Sequence, residues 1–303
     1  MQKEGEVKTI AIYNNKGGVG KSTISLFLAD YFSSGAVTVR QREPRILVID
    51  LDGQGSSSIS LVGLRTVAWA RQEKRTVAPL IQKLRSCAKI DLGEYVLLRP
   101  EGASRGRQLA LGKLWVIAPE RDSIVELEEN CDVRCFVRMA KVLKDALDPH
   151  FDIAIVDLPA NIDQRNKLPL AGLLMSNVIF VPTDPSRVTL NALPDAFENI
   201  QYVRRIAKGQ KIKVPQLGGI ILNKTDRRAK QYRLHHEELQ ELAAQQNTVV
   251  LKNFLPEAPT LSTASDDSLE FGALRERYEK HYGHVRKVAL EVAEKAGFTA
   301  RAK

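Results

Sequence analysis

Asn14-Asn15-Lys16-Gly17-Gly18-Val19-Gly20-Lys21-Ser22-Thr23 lies between an alternating, β-prone run, Val7-Lys8-Thr9-Ile10-Ala11-Ile12-Tyr13, and a helix-like run from Ile24 to Phe32. A strand, a glycine loop and a helix in that order suit polyphosphate. Glycines let backbone N–H groups turn toward phosphate oxygens, and the helix N-terminus adds positive partial charge. In such a loop Gly17, Gly18, Val19 and Gly20 form the cradle and Lys21 reaches the β- and γ-phosphates. The Ser22 hydroxyl ligates Mg²⁺, with Thr23 completing the loop.

Downstream, Arg45-Ile46-Leu47-Val48-Ile49-Asp50 has four consecutive branched aliphatics, the pattern of a strand buried on both faces. Asp50-Leu51-Asp52-Gly53-Gln54-Gly55 follows at its C-terminal end, where open parallel sheets bind ligands. An acidic turn capping the next helix is the plainer reading of the two aspartates. Phe151-Asp152-Ile153-Ala154-Ile155-Val156-Asp157 is a second aliphatic strand ending in a carboxylate. After a phosphate-binding loop, such an aspartate is placed to hold Mg²⁺. Strands are also expected at Leu114–Pro119, Val178–Pro182 and Leu217–Leu222, with helices at Cys131–Leu147, Leu193–Ala207 and Phe271–Ala296. The section from Leu64 to Lys113 reads as helical with a loop or short hairpin, and Gly102–Arg107 as an exposed turn. Its cations, including Arg65, Arg71, Lys74 and Arg75, read as a solvated face.

Asn15 stands where the common G-x-x-x-x-G-K-[ST] loop has its first glycine, and Lys16 adds a second lysine. K-G-G-x-G-K-[ST] resembles the deviant phosphate loop of the ParA/MinD family of dimerising ATPases, and the resemblance covers nearly the whole chain. It implies that Lys16 crosses to the nucleotide of a partner subunit. Asp50-Leu51-Asp52-Gly53-Gln54-Gly55 is similar to the family's D-x-D-P-Q-G switch, which gives Asp52 the role of positioning the attacking water. Asp50, nearer the strand, is the candidate for touching Mg²⁺ or its waters. Gly53 replaces the family's proline, so this turn is expected to be more flexible. Asn223-Lys224-Thr225-Asp226 resembles a base-contact element and implies adenine recognition by Asn223, although a plain Asn–Asp turn also fits. Val249–Pro256 resembles the family's last strand, whose following loop packs on the adenine, which implies that contact for Pro256. The implied activity is hydrolysis of ATP, with ATP and Mg²⁺ as cofactors and Lys16, Lys21 and Asp52 as the catalytic set.

The alternation of strands and helices predicts an α/β fold: a mostly parallel twisted sheet with helices on both faces, formed as one domain over 1–303. Residues 6–270 would form the nucleotide-binding core and 271–303 the C-terminal helices. The 303 residues are 44% hydrophobic, enough for a substantial core. With the first strand so near the start, no separate N-terminal DNA-binding domain is expected. Cys87, Cys131 and Cys135 suggest neither a disulfide framework nor a zinc site, which fits a reducing cytoplasm. The five histidines show no metal or catalytic spacing.

A net charge of +9 favours an anionic partner. Between Gln201 and His236, Arg204, Arg205, Arg227, Arg228, Lys230 and Arg233 stand among ten cations against the single acid Asp226, a pattern suited to duplex phosphates without sequence preference. A solvated basic helix pair is the alternative. Val285, Val288, Ala289, Val292, Ala293 and Ala296 form a helical stripe of small residues, expected to dock on the domain, so a membrane partner is not favoured. The resemblance then implies an ATP-bound homodimer that binds nonspecific double-stranded DNA and is released by a ParB-like protein. MinD-like membrane cycling or positioning of protein cargo is the competing function.

Overall fold

The computed structural model describes residues 6–86, 90–100, 113–120, 131–265 and 273–301. The strands are β1 (Lys8–Ile12), β2 (Val37–Thr38), β3 (Ile46–Asp50), β4 (Leu97–Leu98), β5 (Leu114–Ile117), β6 (Ile153–Asp157), β7 (Val178–Thr183), β8 (Gln216–Leu222), β9 (Val250–Phe254) and β10 (Thr299–Ala300). Eight of them form one sheet in the order β4-β5-β3-β6-β1-β7-β8-β9. All its neighbours run parallel except the short edge pair of β4 and β5. β2 and β10 pair separately.

The helices are α1 (Lys21–Tyr31), α2 (Ser56–Val62), α3 (Leu64–Gln72), α4 (Val77–Arg85), α5 (Val133–Leu147), α6 (Lys167–Met175), α7 (Arg187–Gly209), α8 (Lys230–Gln245), α9 (Pro259–Thr263), α10 (Leu274–Tyr278) and α11 (Tyr282–Lys295). Two apolar layers result. Ala11, Leu47, Ile49, Ala154 and Val156 face residues of α4 to α8, whereas Ile10, Ile12, Ile46, Val48, Ile153 and Ile155 face α1, α2, α3, α10 and α11. Unbroken aliphatic runs in the central strands are what burial on both faces requires. The small-residue stripe of α11 is buried as expected, from Val285 to Ala296. Among the described residues no helix is long and apolar enough to cross a membrane.

Three sequence expectations need correction. Cys131 and Cys135 are joined as a disulfide at the start of α5, which counts and spacings of cysteine did not suggest. The helix expected from Leu193 starts at Arg187, where the Ser186 hydroxyl caps Thr189 N, and Pro194 is accommodated inside it. The cations of 64–113 are not uniformly a solvated face: Arg75 lies over the Trp69 ring at 5.0 Å, and Arg71 is bonded to two loops described below. The turn expected at Gly102–Arg107, and Cys87, lie outside the described residues.

One buried polar cluster ties the fold together. Asp30, on α1, accepts hydrogen bonds from Arg99 Nη1 at 2.5 Å and Tyr278 OH at 2.5 Å, and its carboxylate lies 3.1 Å from Arg277 Nη1. Its side chain is wholly buried and both arginine side chains are 4% exposed. Arg277 continues to Ala264 O at 2.8 Å and Ser60 O at 3.2 Å. Thus α1, the segment after β4, α2 and α10 share one ionic hub.

Candidate nucleotide-binding site

The loop between β1 and α1 lies at the carboxyl end of the sheet. Gly18 and Gly20 adopt φ of +77° and +90°, values that L side chains rarely take. At Gly20 a Cβ would also stand 2.1 Å from Asn223 Nδ2. No side chain caps the first turn of α1 and no acid lies in it, so its amides remain available to an anion. Asn14 pins the loop from inside, donating to Pro182 O at 2.7 Å and accepting from Lys16 N at 3.0 Å. Asn15 contributes its backbone: its carbonyl accepts from Asn161 N at 2.9 Å, joining the loop to the segment after β6.

A cleft of about 640 Å³ opens over this loop. Gly17, Gly18, Gly20, Lys21, Ser22, Thr23, Asp52, Asn223 and Pro256 line it, bringing together most of the residues singled out from sequence. Lys16 is half-buried and does not line it, and its carbonyl accepts from Lys21 Nζ at 3.0 Å. Val19 is buried beneath the loop, its carbonyl held by Asn223 Nδ2 at 2.9 Å. Sequence reading missed the far wall, which α9 supplies through Pro259, Leu261 and Ser262. Lys224, quoted from sequence only as part of the base-contact element, donates to Gly18 O at 2.9 Å.

Beneath the cleft, register pairs Asp50 with Asp157 on adjacent strands β3 and β6. Both are fully buried. Asp50 accepts from Ser58 N at 3.0 Å, Ser58 Oγ at 2.8 Å and Asp52 N at 3.1 Å, so its oxygens are committed to the turn that follows it. No hydrogen bond of good geometry reaches either oxygen of Asp157, although the Ser22 and Ser57 hydroxyls lie near enough to favour its charged form. Burial, then the charge of Asp50, pushes the Asp157 carboxyl well above the usual carboxylate range, and burial also raises Asp50. Lys21 shares this environment: burial lowers its pKa, opposed by the charges of Asp157 and Asp52. A buried carboxylate pair with a poorly satisfied member, below an uncapped helix and a lysine, is arranged for a cation and a polyphosphate together.

The AAA domain family matches residues 7–214, more than half of the chain. The chain belongs to the ParA/MinD-type P-loop ATPases of that family. The chromosome-partitioning ATPase Soj of Treponema pallidum (strain Nichols) is 24% identical over 265 residues, 86% of this chain and 88% of its own length. Among solved structures, an ATP complex of Cyanothece McdA superposes with a TM-score of 0.69 at 17% identity, covering 98% of this chain and 99% of that one. The pNOB8 ParA bound to nonspecific DNA gives 0.62 at 18% identity, covering 95% and 98%. At these identities the structural likeness establishes the fold alone: a mostly parallel sheet flanked by helices, in one domain.

The basic residues expected to meet DNA do not form one cluster. Arg187 on α7 pairs with Glu238 on α8 at 2.8 Å, and Gln201 bonds Gln246 at 3.0 Å, so α7 and α8 run side by side in the same direction. Arg204 and Arg205 therefore lie near the end of α8, whereas Arg227, Arg228, Lys230 and Arg233 lie at its start. A 16-residue helix separates the two groups by roughly 24 Å. At the start of α8, Arg227 donates to Lys252 O at 2.5 Å and covers the Phe254 ring at 4.6 Å. Together with Glu291, which accepts from Lys252 N and Asn253 N, it blocks the open edge of β9. Arg228 pairs with Asp226 at 3.2 Å and Arg233 donates to Arg228 O at 2.7 Å. Lys230 and Arg205 are exposed, and Arg204 is half-buried.

Proposed function

We propose that this protein is a Mg²⁺-dependent ATPase that dimerises with ATP, binds duplex DNA without sequence preference, and partitions DNA in the cytoplasm with a ParB-like partner. The observation that carries the nucleotide chemistry is the poorly satisfied carboxylate of Asp157 beneath Lys21 and the uncapped N-terminus of α1. Mg²⁺ fits these residues, because oxygen ligation would relieve the poorly satisfied Asp157, and the Ser22 hydroxyl both acts on that carboxyl and lines the cleft above it. When bound, the ion neutralises charge on the β- and γ-phosphates. Lys21 and the α1 amides hold the phosphates, Asp52 orients the attacking water, and Asn223 and Pro256 receive the adenine. Lys16, outside its own cleft, serves the second copy, so hydrolysis depends on dimerisation and times the dimer's release.

DNA as the cargo is supported by the net charge of +9 and by the likeness to Soj and to the DNA-bound ParA fold. Positioning of protein cargo is a second reading, favoured by the division of the basic residues and by the structural pairing of Arg227 and Arg228. Binding of random-sequence duplex DNA and of anionic liposomes, each with and without Mg²⁺-ATP, separates the readings. DNA partition predicts ATP-dependent, salt-sensitive duplex binding and no liposome binding. Failure to bind duplex in ATP and low salt would leave protein cargo as the function.

A further inference from the structure

The turn carrying Asp52 lacks the proline that would stiffen it, yet it is held. Gly55 N donates to Asp52 O at 2.8 Å, making Asp52-Gly53-Gln54-Gly55 a β-turn with Gly53 in its second position. Neither Gly53 nor Gln54 has a positive φ, and Gln54 N bonds Asp52 Oδ1 at 3.0 Å. The second position of such a turn is where proline is favoured, because its ring presets φ. A glycine there leaves the backbone freest just where Asp52 needs a fixed direction. Arg71, on α3, bridges this turn to the sheet. Its Nη2 donates to Gly53 O at 2.9 Å and its Nε to Pro119 O at 3.1 Å, beyond the end of β5. The guanidinium also packs over Gly55, whose φ is +72°; a Cβ there would stand 2.9 Å from Nη2.

We propose that Arg71 is a positioning residue, a strap that gives the Asp52 turn the stiffness a proline at position 53 would supply. The planar fork of arginine suits this task because one rigid group holds two carbonyls from different loops, which a lysine ammonium on a flexible stem does poorly. The inference rests on Asp52 acting as the water-orienting residue, since otherwise a rigid turn has no catalytic consequence. Arg71 does not line the cleft, and its hydrogen bonds go to Gly53 O and Pro119 O. Its loss therefore acts on turnover rather than on nucleotide affinity.

The test combines Arg71→Gln, Arg71→Lys, Gly53→Pro and the double variant Arg71→Gln/Gly53→Pro in the full chain. Steady-state ATP turnover, ATP affinity and amide hydrogen exchange at Gln54 and Gly55 are measured for each. Arg71→Gln is expected to lower kcat at least tenfold with ATP affinity within twofold of wild type, and to speed exchange at both amides. Arg71→Lys should recover part of kcat. Gly53→Pro, in which the turn no longer needs the strap, should make both kcat and exchange insensitive to Arg71→Gln. Wild-type kcat and exchange in Arg71→Gln would overturn the proposal, as would a loss of kcat that Gly53→Pro leaves uncorrected. Exchange that responds to Arg71 in a chain without ATPase activity would retain the strap but refute its role in turnover and the ATPase reading behind it.

Discussion

Replacing Asp30 with asparagine should be among the most damaging single changes outside the cleft. The variant keeps the side-chain volume and one acceptor but removes the charge shared by Arg99, Arg277 and the Tyr278 hydroxyl. Burial pushes the Arg99 guanidinium down in pKa and the Asp30 carboxylate pushes it back up; at Arg277 the same opposition ends above the ordinary value. Both cations thus share the Asp30 carboxylate. Ser33 Oγ, Ala264 O and Ser60 O also accept from the guanidinium groups, but as neutral dipoles they do not replace the charge of Asp30. Removing one partner from a buried ionic cluster costs about 3–5 kcal/mol, because the remaining charge stays desolvated. A chain of 303 residues has an unfolding entropy near its midpoint of about 0.6 kcal/mol/K, so the loss corresponds to about 5–8 °C in Tm. Differential scanning calorimetry of the nucleotide-free protein measures it directly. Replacing Arg99 and Arg277 with methionine in the Asp30→Leu background should recover part of the loss, since an apolar cluster avoids the desolvation cost. A Tm within about 1 °C of wild type for Asp30→Asn would refute the hub.

Asp157→Asn should raise the Tm of the nucleotide-free protein, since it removes one of two adjoining buried carboxylates, while abolishing the Mg²⁺ dependence of ATP binding; a metal-dependent variant in titration calorimetry would contradict this. Because the folded state holds protons on Asp50 and Asp157 above the usual carboxylate range, wild-type stability without metal should fall as pH rises from about 4 toward neutrality, and less so in Asp157→Asn. Asp152 behaves oppositely. Burial raises its pKa, but the Arg45 amide and then the Arg42 and Arg45 side chains overcome this and hold it below the ordinary value. Its contribution is present above about pH 4 and lost as pH falls through the folded pKa, so the Tm difference between wild type and Asp152→Asn should shrink in acid. Gly20→Ala should reduce ATP affinity at least tenfold in fluorescence titration, because φ of +90° and the Asn223 amide leave no room for a methyl group.

What the sequence made legible was whatever a local pattern carries. The glycine loop, the aliphatic runs ending at Asp50 and Asp157, and the alternation of strands and helices are each local patterns, and together they placed the sheet and most of the cleft. The hub at Asp30 was invisible because its Tyr278 partner lies 248 residues away and each member alone reads as an ordinary charged or aromatic position. Arg71 looked like one cation among many on α3, and only the tertiary fold brings Pro119 and Gly53 to it. The basic run from Gln201 to His236 shows the limit of sequence adjacency. Adjacent in sequence, its arginines are divided between opposite ends of α8, and two of them are engaged by Lys252 O and Asp226. The disulfide of Cys131 and Cys135 closes a single turn, a spacing that also suits unlinked cysteines.

Sedimentation velocity of the full chain with Mg²⁺-ATP, Mg²⁺-ADP or no nucleotide, for wild type and Lys16→Ala, tests the central claim most directly. Wild type should shift from monomer to dimer with ATP and not with ADP, and Lys16→Ala should bind ATP yet remain monomeric. A wild type whose sedimentation ignores ATP, or a Lys16→Ala variant that dimerises and hydrolyses ATP normally, would contradict a nucleotide-driven dimer with a lysine reaching across it.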